Sequence, residues 1–210
     1  MNQKEKKLPW VTISLVVINA VVFLLADLIF FREQERIAYY MAMNPLLVTK
    51  YGEYWRLITS MFYHFDIEHL LFNMLPLYFV GAMLEPFFGK VRFLGLYVVS
   101  GLFADATTIL YNSSIVKENA QTVFAAGASG AVYGLIGAYV GVMVFFKDRL
   151  SKEEKIRLPL MVLILLFGNL SQEGVGHAAH FGGFIAGALL GLIYCVCLRK
   201  RKEKRRRTKE

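Results

Sequence analysis

The chain has 210 residues, 56% of them hydrophobic, and its mean hydropathy is +0.46, which is too apolar for an ordinary soluble domain. Its 24 Lys and Arg residues outnumber its 16 Asp and Glu residues, but they cluster in short segments between apolar runs, which disfavours nucleic-acid binding. Cys195 and Cys197 lie two residues apart, and residues with this spacing point in different directions on a helix. They predict neither a disulfide framework nor a metal site.

Six apolar segments follow one another along the chain and predict six membrane-spanning helices, since about 20 residues cross a bilayer. Their approximate bounds are 9–31, 67–86, 91–111, 124–146, 157–171 and 177–198. The first is longer than the roughly 7–15-residue core of a signal peptide, so it is predicted to be retained as a span. The fifth is short and is expected to be thin, tilted or mobile.

The connections complete the predicted fold. Segment 32–66 is amphipathic and rich in aromatic residues, which is typical of ordered structure at the membrane interface. Pro86 and Gly89 predict a turn between the second and third spans. The sequence therefore predicts an all-α, six-transmembrane-helix bundle with an interfacial first outer loop. It forms one domain over residues 1–198 and is followed by a basic tail, 199–210.

The distribution of Lys and Arg predicts which side of the membrane each connection faces. With a cytoplasmic amino terminus, the inner segments hold 19 of the 24 basic residues and the outer segments hold five. Both termini are therefore predicted to be cytoplasmic. The tail is predicted to lie near anionic lipid headgroups. The inner segments are 1–8, 87–92, 147–157 and 199–210.

Polar residues in three distant spans fall at a similar depth near the outer surface. His69 and Asn73 share one face of the second span, because they lie four residues apart. Ser129 falls at the outer end of the fourth span and His180 near the outer end of the sixth. Polar and ionisable groups within a bilayer usually face the protein interior, so these side chains are candidates for a common site.

Two stripes of glycine predict how the fourth and sixth spans pack. Small residues three or four positions apart let helix backbones approach closely. This packing would bring Ser129 to His180, with Tyr133 one turn away. The fourth span carries Gly130, Gly134, Gly137 and Gly141, and the sixth carries Gly183, Gly187 and Gly191.

A serine hydroxyl beside an imidazole suggests nucleophilic catalysis, because the hydroxyl is a weak nucleophile that needs a base. Attack on a carbonyl builds negative charge on its oxygen, which needs fixed donors. His69, Asn73 and the backbone N–H groups at the start of the fourth span are candidates for this role. Neither Asp105 nor Glu173 has a spacing that identifies a third member, so we predict a dyad.

Each of these residues also has a structural interpretation. A serine among small residues is most often a packing feature of a helix, and His69 and Asn73 suit interhelical hydrogen bonds equally well. The four histidines could instead bind haem or a metal, although His64 and His69 are poorly spaced for one helix face and no HExxH motif occurs. The shared depth of these residues favours a catalytic site.

Together, these motifs resemble the rhomboid intramembrane serine proteases over about residues 53–191. Their order, their spacing and their placement on the predicted spans agree with the family pattern. The stretches that carry the resemblance are YWR in the first outer loop, HFDIEHLLFN entering the second span, GASGAVYG opening the fourth and AHFGGFIAG in the sixth.

The resemblance implies a role for individual residues. Ser129 corresponds to the nucleophile and His180 to the general base. His69 and Asn73 correspond to the oxyanion-stabilising pair, aided by the backbone of Ala128 and Ser129. The supporting residues are Gly127, which shapes the oxyanion site, Tyr133, which packs on the catalytic histidine, and the structural pair Trp55 and Arg56. His64 matches an outer histidine without a clear role, and His177 is interpreted as structural or as lining a water-filled mouth.

The activity that the resemblance implies is cleavage of membrane-protein substrates near the outer membrane face through an acyl-enzyme. It needs no cofactor, and the expected partners are these substrates and the lipid bilayer, not nucleic acid. The short amino terminus and minimal core resemble a bacterial member, which implies the plasma membrane. Two other classes of function stay open: a non-catalytic relative that binds membrane clients and, with less support, a transporter or channel.

Overall fold

The computed structural model describes residues 8–114, 124–156, 159–160 and 176–208, and within these ranges the fold is helical without a strand. Five segments are long and apolar enough to cross a membrane: Trp10–Asp27, Ile67–Phe88, Lys90–Ser113, Ser129–Phe146 and Gly176–Arg201. They overlap five of the six predicted spans. The other predicted span, 157–171, lies outside the described residues apart from 159–160. The chain is therefore a multi-pass, all-α membrane protein.

The named helices follow the order of the predicted segments. They are α1 (Trp10–Leu24), α2 (Gln34–Met41), α3 (Pro45–Tyr51), α4 (Arg56–Thr59), α5 (Ile67–Phe88), α6 (Lys90–Ser114), α7 (Ser129–Phe146) and α8 (Gly176–Arg207). A π-helical turn, Leu25–Ile29, continues α1, and a 3-10 turn, Ser60–Phe62, follows α4. The structure differs from the prediction at the fourth span, which starts at Ser129 and not at 124, because Gly127 has a left-handed φ of 105° that a helix cannot contain.

Glycine sets the distance between α7 and α8, which form the most extensive helix pair in the described structure. A Cβ on Gly183 would overlap the carbonyl oxygen of Gly130, and a Cβ on Gly187 would overlap that of Gly134. Backbone oxygens cannot rotate away, so a side chain at either position would push the two helices apart. The contact therefore fixes the height of one helix relative to the other.

A buried carboxylate joins α1 to α5. Glu85, which is 3% exposed, accepts hydrogen bonds from the backbone N–H groups of Val11 and Thr12 at 3.0 and 2.8 Å and from the Thr12 hydroxyl at 2.9 Å. The first-turn N–H groups of a helix have no intrahelical acceptor, and the helix dipole favours negative charge there. Glu85 thus caps α1 from a neighbouring helix.

The loop between the first two spans, which the sequence predicts to be outer and which is called the outer loop below, is ordered around the fully buried Arg56. Its guanidinium donates to the carbonyl oxygens of Tyr39 and Ala42 and forms an ion pair with Glu53. Trp55 is half exposed, and its Nε1 donates to the Tyr40 carbonyl at 3.4 Å. A planar guanidinium with five donors can hold several chain segments at once, which makes this loop a fixed element.

Replacing Glu85 with Ala is expected to destabilise the fold, because the half-buried Val11 N–H and the buried Thr12 N–H would lose their acceptor. Orphaned buried donors cost roughly 1–3 kcal/mol each, so we expect a loss of roughly 2–4 kcal/mol in the free energy of unfolding. The measurement is SDS titration in mixed micelles. Glu35→Ala, at an exposed glutamate of α2, is the control and should change this free energy by less than about 0.5 kcal/mol. Equal effects of the two substitutions would contradict the capping role.

Candidate active site

The segment that precedes Ser129 is irregular, but backbone hydrogen bonds fix it to the outer loop. Ala125 exchanges two backbone hydrogen bonds with Met43 of the outer loop, at 2.8 and 2.9 Å. The Gly127 N–H donates to the Ser60 carbonyl at 2.8 Å. These bonds fix the path of the segment that leads to Ser129, the first residue of α7. The Ser129 backbone N–H belongs to the first helical turn, which lacks intrahelical acceptors. The site therefore contains a helix amino terminus with its favourable dipole.

Ser129 and His180 lie within hydrogen-bonding distance. The Ser129 Oγ is 2.9 Å from the Nε2 of His180, which lies near the start of α8 and is 8% exposed. The ring of Tyr133 stacks on the imidazole with centroids 4.2 Å apart and an interplanar angle of 12°. Gly176 lies one turn before His180, and a Cβ there would approach the ring at 3.2 Å. Tyr133 thus sets the plane of the imidazole, and the absence of a side chain at Gly176 leaves room for the ring.

His69 and Asn73 of α5 reach the same region. Asp66 caps α5 by accepting the His69 backbone N–H at 2.6 Å. The Asn73 Nδ2 donates to the His69 carbonyl at 2.8 Å, which leaves its second N–H for another acceptor. A Cβ on Gly127 would lie 2.5 Å from the His69 Nε2 and 3.6 Å from the Asn73 Nδ2. Both side chains therefore end beside the segment that leads to Ser129, and Gly127 has to be a glycine for them to fit.

His64 has a contact that the sequence did not reveal. The Ala128 N–H points to the His64 Nε2 at 3.4 Å, which places the ring proton on Nδ1. His64 is 1% exposed, and its ring meets that of His69 edge to face at 5.0 Å. Burial, aided by the neighbouring His69, lowers the pKa of His64 to about 3. The Ala128 N–H, predicted as an oxyanion donor, already has an acceptor, whereas Ser129 offers the N–H group of a helix start.

The structural pair Trp55 and Arg56 lies in the outer loop and not at the Ser129–His180 contact. Its connection to the site is indirect. Arg56 binds the carbonyl of Ala42, and the next residue, Met43, pairs with Ala125 four positions before Ser129. The loop therefore supports the segment that carries the serine.

The sequence analysis did not predict the hydrogen bond between two polar residues near the site, Ser60 and Asp105. The Ser60 Oγ donates to a carboxylate oxygen of Asp105 at 3.1 Å, and neither residue contacts His180 in the described structure. The signal in the sequence was the presence of an aspartate within a predicted span, which is costly unless it has a partner. His177, in contrast, is exposed. Within the described ranges, no three His, Cys, Asp or Glu residues are grouped to hold a metal ion.

Comparison with known proteins relates this arrangement to one family. The family model described as the rhomboid domain matches residues 51–197. The rhomboid protease AarA of Providencia stuartii is 31% identical over 206 residues, covering 88% of this chain and 72% of that protein. The putative rhomboid protease YdcA of Bacillus subtilis is 32% identical over 154 residues, covering 73% of this chain and 72% of that protein.

Plant proteins are similar as well. RHOMBOID-like protein 5 of Arabidopsis thaliana is 35% identical over 145 residues, which are 68% of this chain and 44% of the plant protein. The chain thus spans less than half of this longer relative. The matched region contains Ser129, His180, His69 and Asn73, together with the outer loop from residue 51 onward.

The buried His64 should make the protein less stable in acid. Its pKa falls from about 6.5 in the unfolded chain to about 3 in the folded one. As the pH drops below about 6.5, the unfolded state therefore gains a proton that the folded state does not bind. Between pH 7.5 and 5.0 this amounts to about 2 kcal/mol of lost stability. His64→Gln, whose Oε1 can replace Nε2 as acceptor but does not titrate, should remove that part of the loss.

The measurement is SDS titration of both proteins in mixed micelles at the two pH values. His177→Gln, at an exposed histidine, is the matched control and should lose as much stability as the unaltered chain. An acid-induced loss in His64→Gln that equals the loss in the unaltered chain would show that His64 is not held neutral by the fold.

Proposed function

Because the chain belongs to the rhomboid family, we propose that it is an intramembrane serine endopeptidase that cleaves membrane-protein substrates near the outer membrane face. The observation that carries the proposal is the 2.9 Å separation between the Ser129 Oγ and the His180 Nε2. When the imidazole is neutral with its proton on Nδ1, the hydroxyl can donate to Nε2, which can accept the proton as the oxygen attacks. Ser129 is the proposed nucleophile and His180 the proposed general base.

Stabilisation of the oxyanion is proposed to come from three donors. The Ser129 N–H lies at the positive end of the α7 dipole, and the His69 ring and the second N–H of the Asn73 amide end beside Gly127. After attack, the C–N bond of the peptide breaks, His180 returns its proton to the leaving amine, and an ester to Ser129 remains. Water then hydrolyses the ester with His180 as base again, so the site has to open to the outer aqueous phase.

The substrate must present an extended backbone, because the carbonyl groups of an intact helix are already hydrogen-bonded within that helix. Small residues at the cleavage position suit the glycine-lined and alanine-lined approach to Ser129. We propose that the substrate enters between the fifth and second spans; of the fifth predicted span, 157–171, the structure describes only residues 159–160.

Orientation follows the distribution of basic residues. The inner segments carry 19 of the 24 Lys and Arg residues, which favours cytoplasmic termini. The beginnings of α7 and α8 then lie at the outer surface, together with Ser129 and His180. We propose a bacterial plasma membrane as the location, with the basic end of α8 and the tail at the cytoplasmic lipid surface.

Ser129→Ala is expected to abolish both cleavage and labelling by a fluorophosphonate, because the alanine has no oxygen to form the covalent bond. His180→Ala should reduce both to the background level. The measurement compares gel fluorescence with the mass of the products from candidate membrane-protein substrates in detergent. Ser100→Ala, at a buried serine of α6, is the matched control and should retain both activities. Labelling that persists in Ser129→Ala would overturn the assignment, and a folded chain that neither cleaves nor labels would favour a client-binding protein.

Asn73→Ala should slow cleavage by roughly 10²–10³-fold if its amide stabilises the oxyanion as a single donor does in soluble proteases. Asn112→Ala provides a matched control, because Asn112 is also buried and also donates to the carbonyl four residues earlier, at 2.9 Å. The two substitutions remove equivalent intrahelical hydrogen bonds, so they should have similar effects on stability. The rate per active site, titrated with the fluorophosphonate, should fall only in Asn73→Ala. A similar fall in both variants would argue for a structural role.

A further inference from the structure

Asp105 is a buried carboxyl group that the proposed reaction does not use. It lies in the second half of the membrane-spanning α6 and is 8% exposed. An ionisable group in a membrane helix is costly and is usually retained for a partner within the protein. The hydrogen bond that it forms in the described structure comes from the Ser60 hydroxyl at 3.1 Å. That partner lies in the outer loop, 45 residues earlier in the chain.

Ser60 connects Asp105 to the serine-bearing segment. It is 3% exposed and opens the 3-10 turn that follows α4. Its hydroxyl donates to Asp105, while its carbonyl oxygen accepts the Gly127 N–H at 2.8 Å. The side chain and the backbone of one residue therefore join α6 to a point two residues before Ser129.

Gly127 is the point at which a small displacement matters most. Its φ of 105° makes the turn into α7, and the His69 ring lies where its Cβ would be. A shift of Gly127 would move the Ser129 N–H relative to the His69 and Asn73 side chains. Reaction rates are sensitive to such shifts, because a misplacement of about 1 Å can cost roughly 100-fold.

Helix α6, which carries Asp105, also contacts α7 on the other side of Ser129. A Cβ on Gly130 would overlap the Cβ of Ala104, the residue that precedes Asp105. Helix α6 thus meets Gly130 directly and Gly127 through Ser60. Ser129 lies between these two points, so α6 fixes the serine from both directions along the chain.

We propose that Asp105 is a positioning residue, which acts through Ser60 to hold Gly127 and thereby the oxyanion donors at Ser129. The inference rests on the proposed function and adds to it a hydrogen-bond relay from α6 through the outer loop to α7. The relay needs an acceptor at position 105 and not a charge. Asparagine at this position therefore supplies the same carbonyl oxygen to the Ser60 hydroxyl.

The test is a double-mutant cycle of Asp105→Ala and Ser60→Ala, with rates measured per active site as titrated by a fluorophosphonate. Each single variant should reduce kcat roughly 10-fold to 100-fold with little change in KM, because substrate binding does not involve the relay. The double variant should be no slower than the slower single one, since both break the same connection. Asp105→Asn should restore kcat to within about threefold of the unaltered chain.

The control is Thr108→Val, one turn further along α6, where a buried hydroxyl donates to the Ala104 carbonyl of its own helix at 3.0 Å. It should leave kcat unchanged. Additive effects of Asp105→Ala and Ser60→Ala, or an Asp105→Asn variant as slow as Asp105→Ala, would overturn the proposal. An unchanged kcat per titrated site in both Ala variants would also overturn the proposal and leave Asp105 a structural residue. If Asp105→Ala does not fold, the kcat of the milder Ser60→Ala variant tests the relay.

Hydrogen–deuterium exchange separates this proposal from the proposed function. The Gly127 amide should exchange faster in Asp105→Ala and Ser60→Ala than in Thr108→Val, whether or not the protein cleaves anything. A chain that is inactive but shows this pattern would refute the protease assignment and keep the relay. An active chain whose Gly127 amide exchanges equally in all variants would refute the relay alone.

Discussion

The approach of the α7 backbone to the α8 backbone is the constraint on which the site depends. Without a Cβ on Gly183 and Gly187, the carbonyl oxygens of Gly130 and Gly134 lie directly against the neighbouring helix. In a membrane the lipid is as apolar as most side chains, so helices associate through close packing more than through exclusion of water. Close packing also fixes the register of the two helices, and this register determines whether Ser129 meets His180.

The second requirement is that backbone N–H groups in the irregular segment before Ser129 find acceptors. Irregular backbone at membrane depth is tolerated only where protein or water supplies the missing partners. Here the N–H groups of Ala125, Gly127 and Ala128 are bound by Met43, Ser60 and His64, respectively. All three partners belong to the chain between the first two spans. The outer loop is therefore the template that shapes the approach to α7, and Arg56 is what holds the loop in shape.

Five of the six predicted spans overlap described helices, and the predicted Ser129–His180 contact is present, because both follow from patterns that repeat along the sequence. Apolar runs of sufficient length mark the spans, and glycines at a spacing of three and four mark the helix contact. The roles of His64, Ser60 and Asp105 were not predicted, although their hydrogen bonds join residues 45 to 67 positions apart, a separation similar to the 51 positions between Ser129 and His180. Glycine repeats mark the contact between α7 and α8, and no such repeat marks these pairs. The path of the outer loop decides these pairs. No periodic pattern encodes that path.

His180 has no carboxylate partner among the described residues, so its ring needs another source of order. Tyr133 lies parallel to the imidazole and restricts the rotation that a hydrogen-bonded aspartate would otherwise prevent. Its position follows from the same helix as the serine, since Ser129 and Tyr133 are one turn apart on α7. A single helix thus carries both the hydroxyl and the surface against which the base rests. Any movement of α7 shifts the two together, and this preserves their geometry better than two independent supports would.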